Sequence, residues 1–157
     1  MKISRIIAFG FLIFCLSLSL NARELPKLLL NNPNIIKIDT LETNDFFKEK
    51  YLLTIKQLID HKNPEFGSFE QRVFVSHYGF EQATVFVTEG YIASYAESAK
   101  HIDELAGIFK TNQIVVEHRY FGESVPETIN YDYLTTENAA NDHHSVYLLM
   151  KEIYKSK

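Results

Sequence analysis

Four short groups of side chains carry the reactive chemistry of this chain: Glu89-Gly90-Tyr91, Glu117-His118-Arg119, Gly122-Glu123-Ser124 and His143-His144. Alternate residues of an extended chain share a side. Glu117 and Arg119 are therefore expected to form a structural ion pair that pins the loop after them. His118, facing the other way, is expected to be a hydrogen-bonded core histidine. Glu89 reads as a solvated loop acid or the partner of an arginine, and Gly90 as the residue that permits a tight turn at a strand end. Adjacent histidines on a helix project roughly 100° apart, whereas helical ligand pairs sit three or four residues apart. With no His-Glu-x-x-His in the chain, His143-His144 is not expected to bind metal.

The elements that must position these groups follow from periodicity. Residues 23–50 read as a polar leader, irregular through residue 45, with Asn31-Asn32-Pro33-Asn34 as a turn cluster. Alternation from Tyr51 to Ile59 predicts a strand, closed by a turn over His61 to Gly67. Phe69 to Ser76 and Thr84 to Thr88 are two more strands. Val85-Phe86-Val87 is a continuous apolar run, as in a strand buried on both faces, and Ile114-Val115-Val116 is another. Between them, Ile102, Leu105, Ala106 and Phe109 predict a helix over 98–110. A last helix opens at Thr135-Thr136, with Val146, Leu149, Met150 and Ile153 along one face. The order predicts an α/β fold, a mixed sheet that becomes parallel, with covering helices.

Composition narrows the classes. Lys2 and Arg5, the apolar run from Ile6 to Leu20 and the small residue Ala22 fit a signal peptide over 1–22, so an exported protein, secreted or periplasmic, with no stable membrane anchor is expected. Cys15 is the single cysteine, which leaves no disulfide and no thiolate metal site beyond that segment. The net charge of −4 is spread over mixed signs without a basic block, so nucleic acid is not an expected partner. No cofactor is expected.

Five segments carry a resemblance. They are Gln57 to Pro64, Phe69 to Val75, Thr88-Glu89-Gly90-Tyr91, Val116-Glu117-His118-Arg119-Tyr120-Phe121-Gly122-Glu123-Ser124, and Leu134 to His144. In this order they resemble the secreted bacterial tripeptidyl aminopeptidase family and, more distantly, the lysosomal prolyl carboxypeptidases. The match covers roughly residues 50 to 155, so residues 51–157 are assigned to the amino-terminal portion of an α/β-hydrolase peptidase domain. The resemblance implies a Ser-Asp-His triad that releases short peptides, tripeptides among them, from the amino ends of polypeptides. In such folds the nucleophile lies on a Gly-x-Ser-x-Gly type turn after a strand, with the acid and histidine later in the chain. Gly122-Glu123-Ser124-Val125-Pro126 is the nearest local match, but it follows a different strand and ends in proline. No triad residue can be carried over, the α/β-hydrolase sheet is expected to be incomplete, and the chain is expected to be inactive alone.

The same resemblance gives the Glu89-Gly90-Tyr91 loop a second reading. In α/β-hydrolases one oxyanion donor is a backbone N–H of the corresponding loop, which makes Gly90 and Tyr91 oxyanion-loop candidates and Glu89 a candidate for the substrate's free amine. Peptide is the substrate class implied for the full-length parent. Two other readings stand beside it: a non-catalytic exported binding protein that keeps the front half of the fold, and a lipase or esterase of the same fold, which the segments at 57–64 and 118–124 disfavour.

Overall fold

The computed structural model describes residues 24–154. The expected signal peptide and Cys15 lie outside the described residues. Helix α1 (Glu24–Leu30) belongs to an amino-terminal unit ending at Asn31 and buries Leu25 and Leu29. Residues from Asn32 onward form a second unit. None of the described helices is long and apolar enough to cross a membrane.

The second unit is built on strands β1 (Ile35–Thr40), β2 (Glu49–Leu58), β3 (Ser68–His77), β4 (Thr84–Thr88) and β5 (Asn112–Val116), in the spatial order β1-β2-β3-β5-β4. The first three and β5 pair antiparallel, and β4 runs parallel to β5 with Thr88 opposite Val116. Between β4 and β5 lies a crossover with helix α2 (Glu104–Phe109), and helix α3 (Thr136–Ile153) closes the unit. This is an α/β architecture with a mixed sheet, as the order of periodic segments predicts.

Side-chain alternation splits the core into two layers. Phe74 and Val115 face Ala93 and Ala96 of the crossover, with Leu41, Leu52 and Val87 around them. On the opposite face Tyr51, Leu53, Val73, Val75, Ile114 and Val116 are buried. There α3 docks: Gln57 Nε2 donates to the Asp142 carbonyl at 3.2 Å, and His77 Nδ1 lies 3.1 Å from the Tyr154 hydroxyl. Thr135 caps α3 by accepting the Asn138 N–H at 3.1 Å.

Three expectations need correction. The polar leader is not irregular: β1 joins the sheet after an Asn32 turn, in which Asn32 Oδ1 accepts the Asn34 N–H at 2.9 Å. An edge strand has little apolar pattern because most of its side chains meet water. The 98–110 helix shrinks to six residues. Asp103 caps it by accepting the Leu105 N–H, and the crossover before it is pinned by side-chain hydrogen bonds instead. Finally β4 is half-buried rather than buried, because no described strand lies along its second edge, whereas β5 is buried throughout.

Candidate active site

Because β4 and β5 are parallel neighbours, their carboxyl ends deliver the loops at 89–93 and 117–124 side by side. Two backbone bonds join them: the Glu89 N–H donates to the Val116 carbonyl at 3.3 Å, and the His118 N–H to the Tyr91 carbonyl at 3.2 Å. A third bond is made by a side chain, Glu117 Oε1 accepting the Ala93 N–H at 3.1 Å. The amides of Gly90, Tyr91 and Ile92, between these anchors, donate to no acceptor among the described residues. Three successive N–H groups are thus left without a protein acceptor at this strand end.

The surroundings of that row are open and aromatic. A methyl group added at Gly90 would meet nothing within 4 Å, and its φ is not positive. No turn requires glycine here, so the tight-turn expectation is not met; its effect is to leave the amide uncovered. Tyr91 is 69% exposed and meets Phe121 edge-on at 5.1 Å, and Phe121 meets His118 edge-on at 5.5 Å. Glu89 is not an orphan acid, since the Tyr95 hydroxyl donates to it. Burial and that carboxylate hold the Tyr95 phenol well above the usual range.

Glu117 does not pair with Arg119. Strand β5 stops at Val116 and the chain is already in a turn at Arg119, so the strand alternation on which the expected pair depended does not extend over them. The fully buried Glu117 turns to its own loop instead. Its Oε2 accepts from the Ser124 hydroxyl at 2.8 Å and from the Glu123 N–H at 3.2 Å, and Arg72 Nη1 stands 3.9 Å from Oε1. Gly122 has a φ of 56°, and a Cβ there would lie 2.3 Å from Glu117 Oε1, so glycine is the residue that fits. Ser124 is fully buried and also accepts the Arg72 N–H at 3.0 Å, which makes its hydroxyl a structural link.

Arg119 crosses to the α3 side. Its Nε and Nη2 meet Asp142 Oδ2 and Oδ1 at 2.7 Å each, and its remaining N–H groups reach the carbonyls of Leu58, Ile59 and Tyr133. His61 Nε2 lies 2.7 Å from Asp142 Oδ1. That pair has the form of a base and its orienting acid, yet no described serine hydroxyl hydrogen-bonds to His61; Ser145, in the same cleft, donates to the Asn141 carbonyl. His118 is half-buried, and its Nδ1 lies 2.8 Å from the Arg119 carbonyl. A carbonyl only accepts, so Nδ1 carries the proton.

His143 meets Phe86 edge-on, while His144 stacks on Tyr147. Burial lowers the His143 pKa. Among the described residues there is no group of three or more side chains able to hold a metal.

Local sequence gives Asp142 only the role of an acid early in the last helix, suited to the positive end of its dipole, and gives Arg72 no role. Asp142 carried a signal, since Asn138, Asp142, Val146 and Met150 repeat every four residues along one helix face whose second half is apolar. Arg72 carried none.

The geometry is matched by relationship. The family described as PS-10 peptidase S37 matches residues 22–157. A "Prolyl tri/tetrapeptidyl aminopeptidase" of Streptomyces mobaraensis is 37% identical over 106 residues, covering 67% of this chain. The aligned stretch spans 22% of that relative's own length. The resemblance in the five motif segments and the family match agree. This chain belongs to the PS-10 peptidase S37 family.

Proposed function

We propose that this chain forms the amino-terminal part of an exported serine-type aminopeptidase domain of α/β-hydrolase type, acting on the free amino ends of peptides. The observation that carries this reading is the row of unused amides from Gly90 to Ile92 at the end of β4, held on both sides by bonded neighbours. Amides fixed in this way stabilise the oxyanion of an acyl-transfer transition state without reorganising, and loss of one donor typically costs about 3 kcal/mol. The relative's printed name supports peptide as the substrate, with tri- and tetrapeptides as products. Glu89, bonded to Tyr95, is the group proposed to receive the substrate ammonium. The amino-terminal pattern of Lys2, Arg5 and the apolar run to Leu20 supports secreted or periplasmic placement; sequencing of the exported product should begin near Arg23.

In this proposal the chain contributes oxyanion donors; Ser124 is buried against Glu117 and Ser145 donates to a backbone carbonyl, so neither is offered as the attacking group. The test is a chimaera in which the 106 aligned residues replace their counterpart in the Streptomyces relative. Retained release of tripeptides from substrates with a free amino end supports the reading, and a folded chimaera without activity sinks it. The chain itself should leave a serine-reactive fluorophosphonate unreacted; stoichiometric labelling would show a nucleophile that the reading denies. The spent hydroxyl of Ser124 also favours the second reading, a non-catalytic exported binding protein, for which the chimaera would fold and stay inactive.

A further inference from the structure

We infer that Glu117 is a positioning residue for the anion-binding loop, fixing it through the Ala93 N–H, and that Gly122 exists to admit its carboxylate. This rests on the reading of the Gly90–Ile92 amides as donors to negative charge.

The loop has few other supports. Tyr91 and Ile92 are exposed by 69% and 50%, and Gly90 touches nothing that a side chain would meet. Below it, Ala93 and Ala96 contribute small apolar contacts to the core. Such a segment is held in place by polar anchors rather than by packing. At its start Glu89 is bonded to β5 by one backbone contact, in its middle the Tyr91 carbonyl accepts the His118 N–H, and at its end Ala93 is bonded to Glu117.

Farther along, Arg72 pairs with Glu97, Lys50 Nζ donates to the Ser98 carbonyl at 2.5 Å, and Asn44 Nδ2 to the Ala99 carbonyl at 2.7 Å. Those later anchors fix the crossover. Glu117 is the side chain that fixes the backbone on the far side of the unused amides, through the Ala93 N–H; on the near side Tyr95 holds only the Glu89 carboxylate.

Glu117 is itself immobilised. It is fully buried, and Ser124, the Glu123 N–H and Arg72 surround its two oxygens. The Gly122 backbone comes so close that no β-carbon fits. A side chain locked on one side and bonded to a loop on the other transmits a fixed geometry, the requirement for donors that must be aimed before charge develops. Glu117 touches no reacting atom in this scheme.

The experiment uses the 157-residue chain and a tripeptide with a free amino end and a phosphonate monoanion in place of the scissile amide. In the parent chain the amide signals of Gly90, Tyr91 and Ile92 should shift on saturation with this probe. The Ala93 amide should exchange with solvent at least tenfold more slowly than those three. Glu117→Ala, which removes the acceptor, should weaken probe binding at least tenfold and erase the slow exchange at Ala93. Asn44→Ala removes an anchor of the crossover but leaves the bond to Ala93 in place, and should change the probe Kd less than twofold. No amide shift in the parent chain would defeat the donor reading and the role of Glu117 with it. A normal shift with equal Kd in Glu117→Ala would defeat the role of Glu117 alone, as would equal weakening in Asn44→Ala. If Glu117→Ala does not fold, fast exchange at Ala93 in the parent chain still overturns the assignment.

Discussion

Arg119 and Asp142 meet through two parallel contacts of 2.7 Å, and neither side chain is more than 1% exposed. The guanidinium also holds carbonyls at the end of β2 and before α3, so one side chain closes the sheet onto the helix. Its Cζ lies 5.3 Å from the centroid of the Phe69 ring. Removing one partner of such a pair leaves an uncompensated buried charge. Asp142→Asn should therefore cost about 3 kcal/mol or more in urea unfolding. Arg119→Lys should also destabilise strongly, since an ammonium cannot make the paired contact. A loss below 1 kcal/mol in both would show that the clamp is not what joins α3 to the sheet.

Gly122 and Glu117 offer a double-mutant cycle. Gly122→Ala places a methyl group 2.3 Å from Glu117 Oε1 and forces an alanine into a positive φ, so it should cost roughly 3 kcal/mol or more. In a Glu117→Ala background the collision disappears and only the backbone term of about 1–2 kcal/mol remains. Equal costs in the two backgrounds would refute the crowding.

Gly90 should behave in the opposite way. Its φ is ordinary and its Cβ position is empty. Gly90→Ala should leave stability unchanged or raise it by up to about 1 kcal/mol, through the lower freedom of the unfolded chain. A clear loss of stability on thermal melting would mean that the loop needs glycine for its conformation.

Acid should weaken the fold through His77. Burial, and then the nearby Lys48, push its pKa down from 6.5 to about 4. The unfolded state therefore takes up a proton that the folded state refuses. Stability from this group is complete above pH 6.5 and declines as pH falls toward 4, by about 3 kcal/mol in total. His77→Phe should flatten this limb of the stability profile; an unchanged slope between pH 6.5 and 4 would place the acid sensitivity elsewhere.

Strands with a strong pattern were legible in the sequence. Thr84–Thr88 has the expected limits, and β2, β3 and β5 differ from expectation by one or two residues at an end. What local periodicity could not supply was long-range pairing. Nearness in sequence suggests that Glu117 and Arg119 pair, whereas Glu117 bonds Ser124 and Glu123 in its own loop and Ala93 across the sheet, and Arg119 bonds Asp142 on α3. β1 has little periodic signal because it lies at a wet edge, and the apolar spacing over 102–109 overstates the crossover helix because it marks side chains that remain exposed, Leu105 and Phe109 among them. The motif itself was legible, but its internal wiring was not.

The open arrangement at Gly90 and the crowded one at Gly122 lead to a practical rule for engineering. A designer who wants to reshape the 89–93 loop gains little from Gly90 alone, where an added β-carbon meets nothing within 4 Å. The sensitive controls sit some thirty positions downstream, in a buried acid and the glycine that shelters it. Reshaping the loop thus means redesigning a buried neighbour rather than the loop itself.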